Sequence, residues 1–216
     1  MIKGIIFDLD GTLIDSMGVW EEADRQLLVQ NGVDPLSDPE LSDKMKKYSV
    51  MEAAEHFVKM GVKKSAEDII AEIEKTVSSK YESEIPLKPY VKEVLDILDE
   101  KGIRYCIATA NYRALTEAVL KRFGILERFE FIVSCAETGV KKDAKGFFEK
   151  AALLLKTEPC ETAVVDDSVH CIENAADAGF YTVFVHDELF GEEWERNKGI
   201  ADAAVKDLRE LAELIV

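Results

Sequence analysis

The chain is poor in positive charge, in proline and in histidine. Of its 216 residues, Lys and Arg supply 27 and Asp and Glu 43, leaving a formal net charge of −16. That deficit removes the electrostatic footprint that a polyphosphate backbone requires, and so argues against a nucleic-acid partner. The basic clusters present, Lys44 with Lys46 and Lys47, and Lys141 with Lys142 and Lys145, are short. A small anionic ligand must therefore be met locally, by a lysine, a metal or helix N-termini. No apolar run approaches the ~20 residues of a membrane span. The opening run Ile5-Ile6-Phe7 is cut by Asp8, unlike a secretory signal. The cysteines Cys106, Cys135, Cys160 and Cys171 form no Cys-x-x-Cys pair, and three lie in or beside apolar runs, as reduced core thiols of a cytoplasmic protein do. With 47% apolar residues and only 5 prolines, a disordered or collagen-like chain is excluded. The length allows one domain, or a core with a smaller module, and such a core forms without disulfides.

Five short runs rich in Ile, Val and Phe read as strands: Lys3–Asp8, Ile103–Thr109, Phe131–Ser134, Thr162–Asp166 and Tyr181–Val185. They lack strict alternation, as strands covered on both faces do. Helical spacing separates the later four. Val91, Val94, Leu95 and Leu98 repeat before Gly102; Leu115, Ala118 and Val119 before Gly124; Phe148, Ala151, Ala152 and Leu155 before Pro159; Ile172, Ala175 and Ala176 before Gly179. The alternation predicts βαβ units, hence an α/β fold with a parallel sheet and helices on both faces. A helix-like stretch around Glu192–Arg196, a short strand at Ala203–Val205 and a final helix at Leu208–Leu214 follow.

One gap breaks the rhythm. Between Asp15 and Pro86 the patterns are helical only: Trp20, Ala23 and Leu27; Ala53, Ala54, Phe57 and Val58; Ile69, Ile70, Ile73 and Val77. About 70 residues are too many for one crossover. The expected division is a core of residues 1–15 and 86–216 with a helical insertion at 16–85.

In an open parallel sheet, ligands bind beyond the carboxyl ends of the strands. The first strand there delivers Asp8-Leu9-Asp10-Gly11-Thr12, the second Thr109-Ala110-Asn111, and the fourth Asp166-Asp167-Ser168. Lys141 and Lys142 follow the third strand. Clustered carboxylates repel unless a cation joins them, and an all-oxygen set of this kind suits Mg²⁺, which also binds phosphate. A carboxylate, a hydroxyl, a lysine and Mg²⁺ around one point form a site for a phosphoryl group, with an Asp as nucleophile. The turn through Gly11 brings Asp10 back over Asp8, and two carboxyls in different environments can divide the nucleophile and acid–base roles.

The string DLDGTLIDS at Asp8–Ser16 resembles the first motif of the haloacid dehalogenase superfamily. Thr109 in IATAN resembles its second motif, Lys142 its third-motif lysine, and Asp166-Asp167-Ser168 its acidic fourth motif. All four occur in order across nearly the whole chain. The resemblance implies a Rossmann-like sheet with an inserted all-α cap, as in phosphoglycolate phosphatases and beta-phosphoglucomutases. It implies that Asp8 is the nucleophile and Asp10 the general acid/base, with Thr109, Ala110, Asn111 and Lys142 on the phosphoryl group. By the same resemblance Mg²⁺ is held by Asp8, the Asp10 carbonyl, Asp167 and, through water, Asp166. The frequent Lys-Pro pair of the third motif is absent, since the chain reads Lys141-Lys142-Asp143, so the lysine is Lys142 or its neighbour Lys141.

These readings converge on a Mg²⁺-dependent phosphatase acting on a small phosphorylated metabolite. A phosphosugar mutase of the beta-phosphoglucomutase type is the alternative; mutases of that type carry a histidine early in the cap, where this chain reads Met17-Gly18-Val19-Trp20-Glu21. Trp20, Lys46, Lys47 and Tyr48 are the candidates for cap residues that meet substrate. His56, His170 and His186 read as structural or exposed. A phosphate-responsive receiver module combines similar residues, but on a much shorter chain without an insertion. Substrate identity and oligomeric state have no sequence signature.

Overall fold

The computed structural model describes residues 2–45, 48, 50–142 and 144–215. The chain divides into two compact units, Met1–Asp15 with Ile85–Val216, and Ser16–Glu84.

The first unit alternates strands and helices. β1 (Gly4–Phe7) leads into the insertion, whose helices are α1 (Met17–Gln30), α2 (Leu41–Met45), α3 (Val50–Met60) and α4 (Ala66–Ser83). The chain returns through α5 (Val91–Lys101), β2 (Arg104–Thr109), α6 (Arg113–Arg122), β3 (Ile132–Ser134), α7 (Cys135–Thr138) and α8 (Phe147–Leu155). It closes with β4 (Thr162–Asp166), α9 (Val169–Asp177), β5 (Tyr181–Val185), α10 (Gly191–Asn197), β6 (Ala203–Val205) and α11 (Leu208–Ile215).

The six strands form one sheet in the order β3-β2-β1-β4-β5-β6. Every pairing is parallel. The strand order reverses between β1 and β4: chain growth runs outward from β1 to β3, then restarts at β4 on the other side. Such a switch point opens a crevice at the carboxyl ends of the two central strands. Those strands are apolar throughout because both faces are covered. Ile5, Ile6, Phe7, Ala163, Val164 and Val165 are fully buried. On one face Ile6, Cys106, Ala108 and Val164 pack with Phe147, Phe148, Ala151 and Ala152 of α8 and with Cys171 and Ala175 of α9. Each such large aliphatic or aromatic side chain contributes roughly 1.5–3 kcal/mol by leaving water. α5 buries Val91, Val94, Leu95 and Leu98, the expected stripe, and ends on Gly102 at φ 66°, a left-handed cap.

Three local expectations are corrected. The buried stripe of α6 is Thr116, Val119 and Leu120 rather than Leu115, Ala118 and Val119. The Thr116 hydroxyl donates to the Tyr112 carbonyl (3.2 Å), so a polar residue occupies a core position without an unpaired group. In α9, Ala176 is exposed while Cys171 joins the buried face. In α3, Val58 is 40% exposed, and Ala54 and Phe57 carry the packing.

The second unit is helical. α4 packs against α1 and α3, burying Ala23, Leu27, Leu28, Ala54, Phe57, Ile69, Ile73, Val77 and Tyr81. Ser65 caps α4 by accepting from the Asp68 amide (3.1 Å). Asp38 gathers the Lys44 ammonium (2.7 Å) and His56 Nε2 (2.7 Å) around one carboxylate. The four cysteines are all free. Among the described residues, no helix is long and apolar enough to cross a membrane.

Candidate active site

The parallel register sets the acids in place. Phe7 pairs with Val165, and the Asp8 amide donates to the Val165 carbonyl (2.9 Å), which carries the ladder one residue past β1. Asp8 therefore stands beside Asp166, the last residue of β4. Thr109 ends β2 on the other side of β1 and is fully buried. β2 and β4 thus end on Thr109 and Asp166, β1 between them runs into Asp8, and Asp167 follows Asp166 in the chain.

One oxygen each of Asp8, Asp166 and Asp167 lie within 4.8 Å of one another. Lys142 reaches into this cluster from the turn before α8. Its ammonium donates to Asp8 Oδ1 and stands 2.7 Å from Asp166 Oδ2. The ammonium is thus held between the two carboxylates. Lys142 is 8% exposed, whereas Lys141 is exposed. The turn, not the local sequence, selects between the two lysines.

Three carboxylates face one ammonium, an excess of two negative charges in a poorly hydrated place. Burial, with the Asp166 and Asp10 charges adding to it against Lys142, pushes the Asp8 carboxyl up to about 7. Burial and the Asp8 and Asp166 charges push Asp167 well above the usual carboxylate range. For Lys142 burial works against the charge, but Asp166 and Asp8 outweigh it and hold the ammonium above its ordinary value. The donor set therefore fits a hard divalent cation: one oxygen from each of three acids, anionic in excess over the single ammonium.

The loop after β1 is shaped around this cluster. Gly11 has φ 81°, and a side-chain carbon there would overlap the Asp167 carboxylate. Thr12, fully buried, points its hydroxyl toward Asp167 Oδ1 (3.4 Å). The loop closes on itself through Leu13 and Ile14 amides donating to the Leu9 carbonyl (2.9 and 3.0 Å). Gly11 and Thr12 belong to the same sequence motif as Asp8 and Asp10, but nothing in their identity signals that they border Asp167, which lies about 155 positions away in the chain.

Asp10 is outside the three-carboxylate cluster. Its Oδ2 accepts from Asn111 Nδ2 (3.1 Å). Asn111 is itself fixed: its Oδ1 accepts from the Tyr112 amide (2.8 Å), its own amide donates to Thr109 Oγ1 (3.0 Å), and its carbonyl accepts from Ser134 Oγ (2.7 Å). The residues after β2 thus orient Asp10. Ala110 lies between Thr109 and Asn111 at the same strand end. Trp20 is half-buried on α1, and Tyr48 is exposed with its edge on the His56 ring (5.7 Å); both belong to the helical unit. Lys46 and Lys47 lie outside the described residues.

A model of the haloacid dehalogenase-like hydrolase family matches residues 5–185. The chain belongs to that family. Among its relatives is hexitol phosphatase B of Escherichia coli, 26% identical over 78% of this chain and 77% of that one. An uncharacterised hydrolase of Saccharomyces cerevisiae is 27% identical over 99% of this chain and 91% of its own length. A crystal structure from Thermotoga maritima, provisionally named a beta-phosphoglucomutase, superposes with a TM-score of 0.84 at 21% identity, covering 99% of this chain and 98% of that one. That last likeness establishes the shared haloacid dehalogenase fold and nothing finer.

Proposed function

We infer that this haloacid dehalogenase-like hydrolase is a Mg²⁺-dependent phosphatase of small organic phosphomonoesters that works through a phospho-aspartate on Asp8. The observation that carries the reading is the Lys142 ammonium seated between Asp8 and Asp166 at the β1–β4 crevice. An anion-neutralising group there is suited to a phosphoryl group delivered onto Asp8. The hexitol phosphatase relative supports the reaction class.

In the first step an Asp8 oxygen attacks phosphorus, the bond to the ester oxygen breaks, and Asp10 gives that oxygen its proton, releasing the alcohol. In the second step water attacks the acyl phosphate, Asp10 takes the water's proton, and inorganic phosphate leaves with Asp8 regenerated. Asn111 holds Asp10 for both transfers. Thr109, the backbone amide at Ala110 and Lys142 bind phosphoryl oxygens, with Asn111, whose amide donates to Thr109 Oγ1, closing the same strand end. Asp8, Asp167, the Asp10 carbonyl and, through water, Asp166 would hold Mg²⁺, which when bound neutralises charge on the phosphoryl oxygens and on the acids. Catalysis of this kind is mainly positioning and electrostatics.

The test is hydrolysis of p-nitrophenyl phosphate with and without Mg²⁺. Wild-type protein should release phosphate only with the ion, and Asp8→Asn should lose activity while its circular dichroism spectrum is unchanged. Substantial turnover by Asp8→Asn would remove Asp8 from the mechanism. A panel of phosphorylated metabolites then defines the substrate. Interconversion of two sugar phosphates without free phosphate would instead favour the mutase.

A further inference from the structure

Lys142 is the one buried cation of the site among the described residues, yet it sits in a turn where neither a helix nor a strand fixes the backbone. Its side chain has a flexible four-carbon stem. To stand between Asp8 and Asp166, its backbone must be anchored by something else. The structure shows one such anchor. The side-chain amide nitrogen of Asn174 lies 3.2 Å from the Lys142 carbonyl and 3.2 Å from the Ala144 carbonyl.

An amide nitrogen carries two hydrogens, one for each carbonyl. Both neighbours are acceptors, so the orientation of the Asn174 amide is determined by its surroundings. The pair of bonds ties the backbone at Lys142 and at Ala144 to α9. Asn174 belongs to α9, which begins two residues after Asp167. Cys171, one turn earlier on the same face, is buried. It packs with Ile6 and Val164 of β1 and β4, so this face of α9 lies on the strands that carry the acids. One rigid helix therefore follows directly from the acid pair and grips the segment that delivers the counter-charge.

We propose that Asn174 is a positioning residue for Lys142: by clamping the turn from α9 it sets the distance of the ammonium from Asp8 and Asp166. This rests on the phosphatase reading for its catalytic consequence, but not for the positioning itself. A displacement of about 1 Å in a catalytic group lowers rates by about a hundredfold in comparable cases. The substitution Asn174→Asp keeps the shape of the side chain and removes both donors.

The experiment compares wild type with Asn174→Asp and Asn174→Ala. Amines are labelled briefly with acetic anhydride, and acetylation is quantified at each lysine by mass spectrometry. Lys142 should be protected in wild type and become several-fold more labelled in both variants, with exposed Lys141 and Lys150 as unchanged internal standards. With p-nitrophenyl phosphate and Mg²⁺, kcat/KM should fall by about tenfold or more in both variants. In a Lys142→Ala background, Asn174→Asp should add less than about a twofold further loss, because there is no ammonium left to misplace. Unchanged labelling of Lys142 overturns the proposal. So does increased labelling with unaltered turnover, or a full additional loss in the Lys142→Ala background. If wild type itself hydrolyses nothing, the phosphatase reading falls, while the labelling still decides the positioning.

Discussion

Asp8→Asn should stabilise the metal-free protein even as it abolishes turnover. The Asp8 carboxyl is 6% exposed, and its pKa stands at about 7 against an ordinary 3.8. A pKa raised in the folded state means that folding favours the protonated acid. Its contribution to stability is therefore complete below the unfolded value and is lost as pH rises through about 7. At pH 8 the folded protein must hold Asp8 ionised beside Asp166 and Asp167. Raising the carboxyl from 3.8 to about 7 corresponds to about 4 kcal/mol of differential stability. Asparagine removes the charge at nearly constant volume, but it also deprives Lys142 of one partner, leaving Asp166 as the other. The net gain expected is about 2–3 kcal/mol at pH 8, with further relief at Asp167, whose proton affinity is raised in part by the Asp8 charge.

For a chain of this length each kcal/mol moves Tm by about 2–4 °C. Thermal unfolding in EDTA at pH 8 should therefore place Asp8→Asn about 4–12 °C above wild type. The difference should shrink by more than half at pH 5 and vanish only near the unfolded value of 3.8. Millimolar Mg²⁺ should reverse the order, because on the proposed reading Asp8 would hold the cation, and a cation stabilises the form that binds it. If Asp8→Asn melts at or below wild type at pH 8 in EDTA, or if the gap does not change between pH 5 and pH 8, the cluster is not electrostatically frustrated without metal.

The other predictions concern single groups. Lys142→Ala should lower kcat/KM by about a hundredfold or more, whereas Lys141→Ala, an exposed site, should stay within about twofold; equal effects would mean that the turn is misassigned. Gly11→Ala forces a left-handed backbone and a carbon into the Asp167 carboxylate, so calorimetry should show Mg²⁺ affinity reduced by at least about tenfold, and unaltered affinity would refute that close approach. Mg²⁺ binding at pH 6.5 should release protons, and its affinity should rise as pH increases through about 7, because Asp8 and Asp167 must be ionised to bind the cation; a pH-independent affinity between 6 and 8 would contradict the raised carboxyl values.

The strands were legible because of where they sit. A strand covered on both faces has no solvent-facing positions, so β1, β4 and β5 read as unbroken apolar runs, and their ends delivered Asp8, Asp166 and the β5 terminus without knowledge of pairing. Helices were legible in proportion to their length. α2 spans five residues and α7 four, too few for a 3.6-residue period to declare itself, and neither was anticipated. In α6 the buried stripe includes Thr116, whose hydroxyl is satisfied by its own helix, so a count of apolar residues placed the stripe one position early. The reading of strand ends brought Asp8, Asp166, Asp167 and a lysine to one rim, but could not choose between Lys141 and Lys142, because adjacent residues in an irregular turn have no fixed facing.

Residue type informs on chemistry when the chemistry is in the side chain's charge or nucleophilicity. It does not inform when a neutral side chain acts on the backbone. Asp8, Asp10 and Lys142 advertise themselves as titratable groups, whereas Asn174 bonds only to carbonyls, which every residue has, and its partners lie 32 and 30 positions away. Asn111 is intermediate: its place after β2 points to phosphate, and its side-chain amide in addition meets Asp10. Both asparagines set the positions of ionic groups that the sequence names. The site is therefore specified in two layers, acids and a lysine recognisable by type, and amide donors recognisable only once the turns that carry those groups have folded against the sheet.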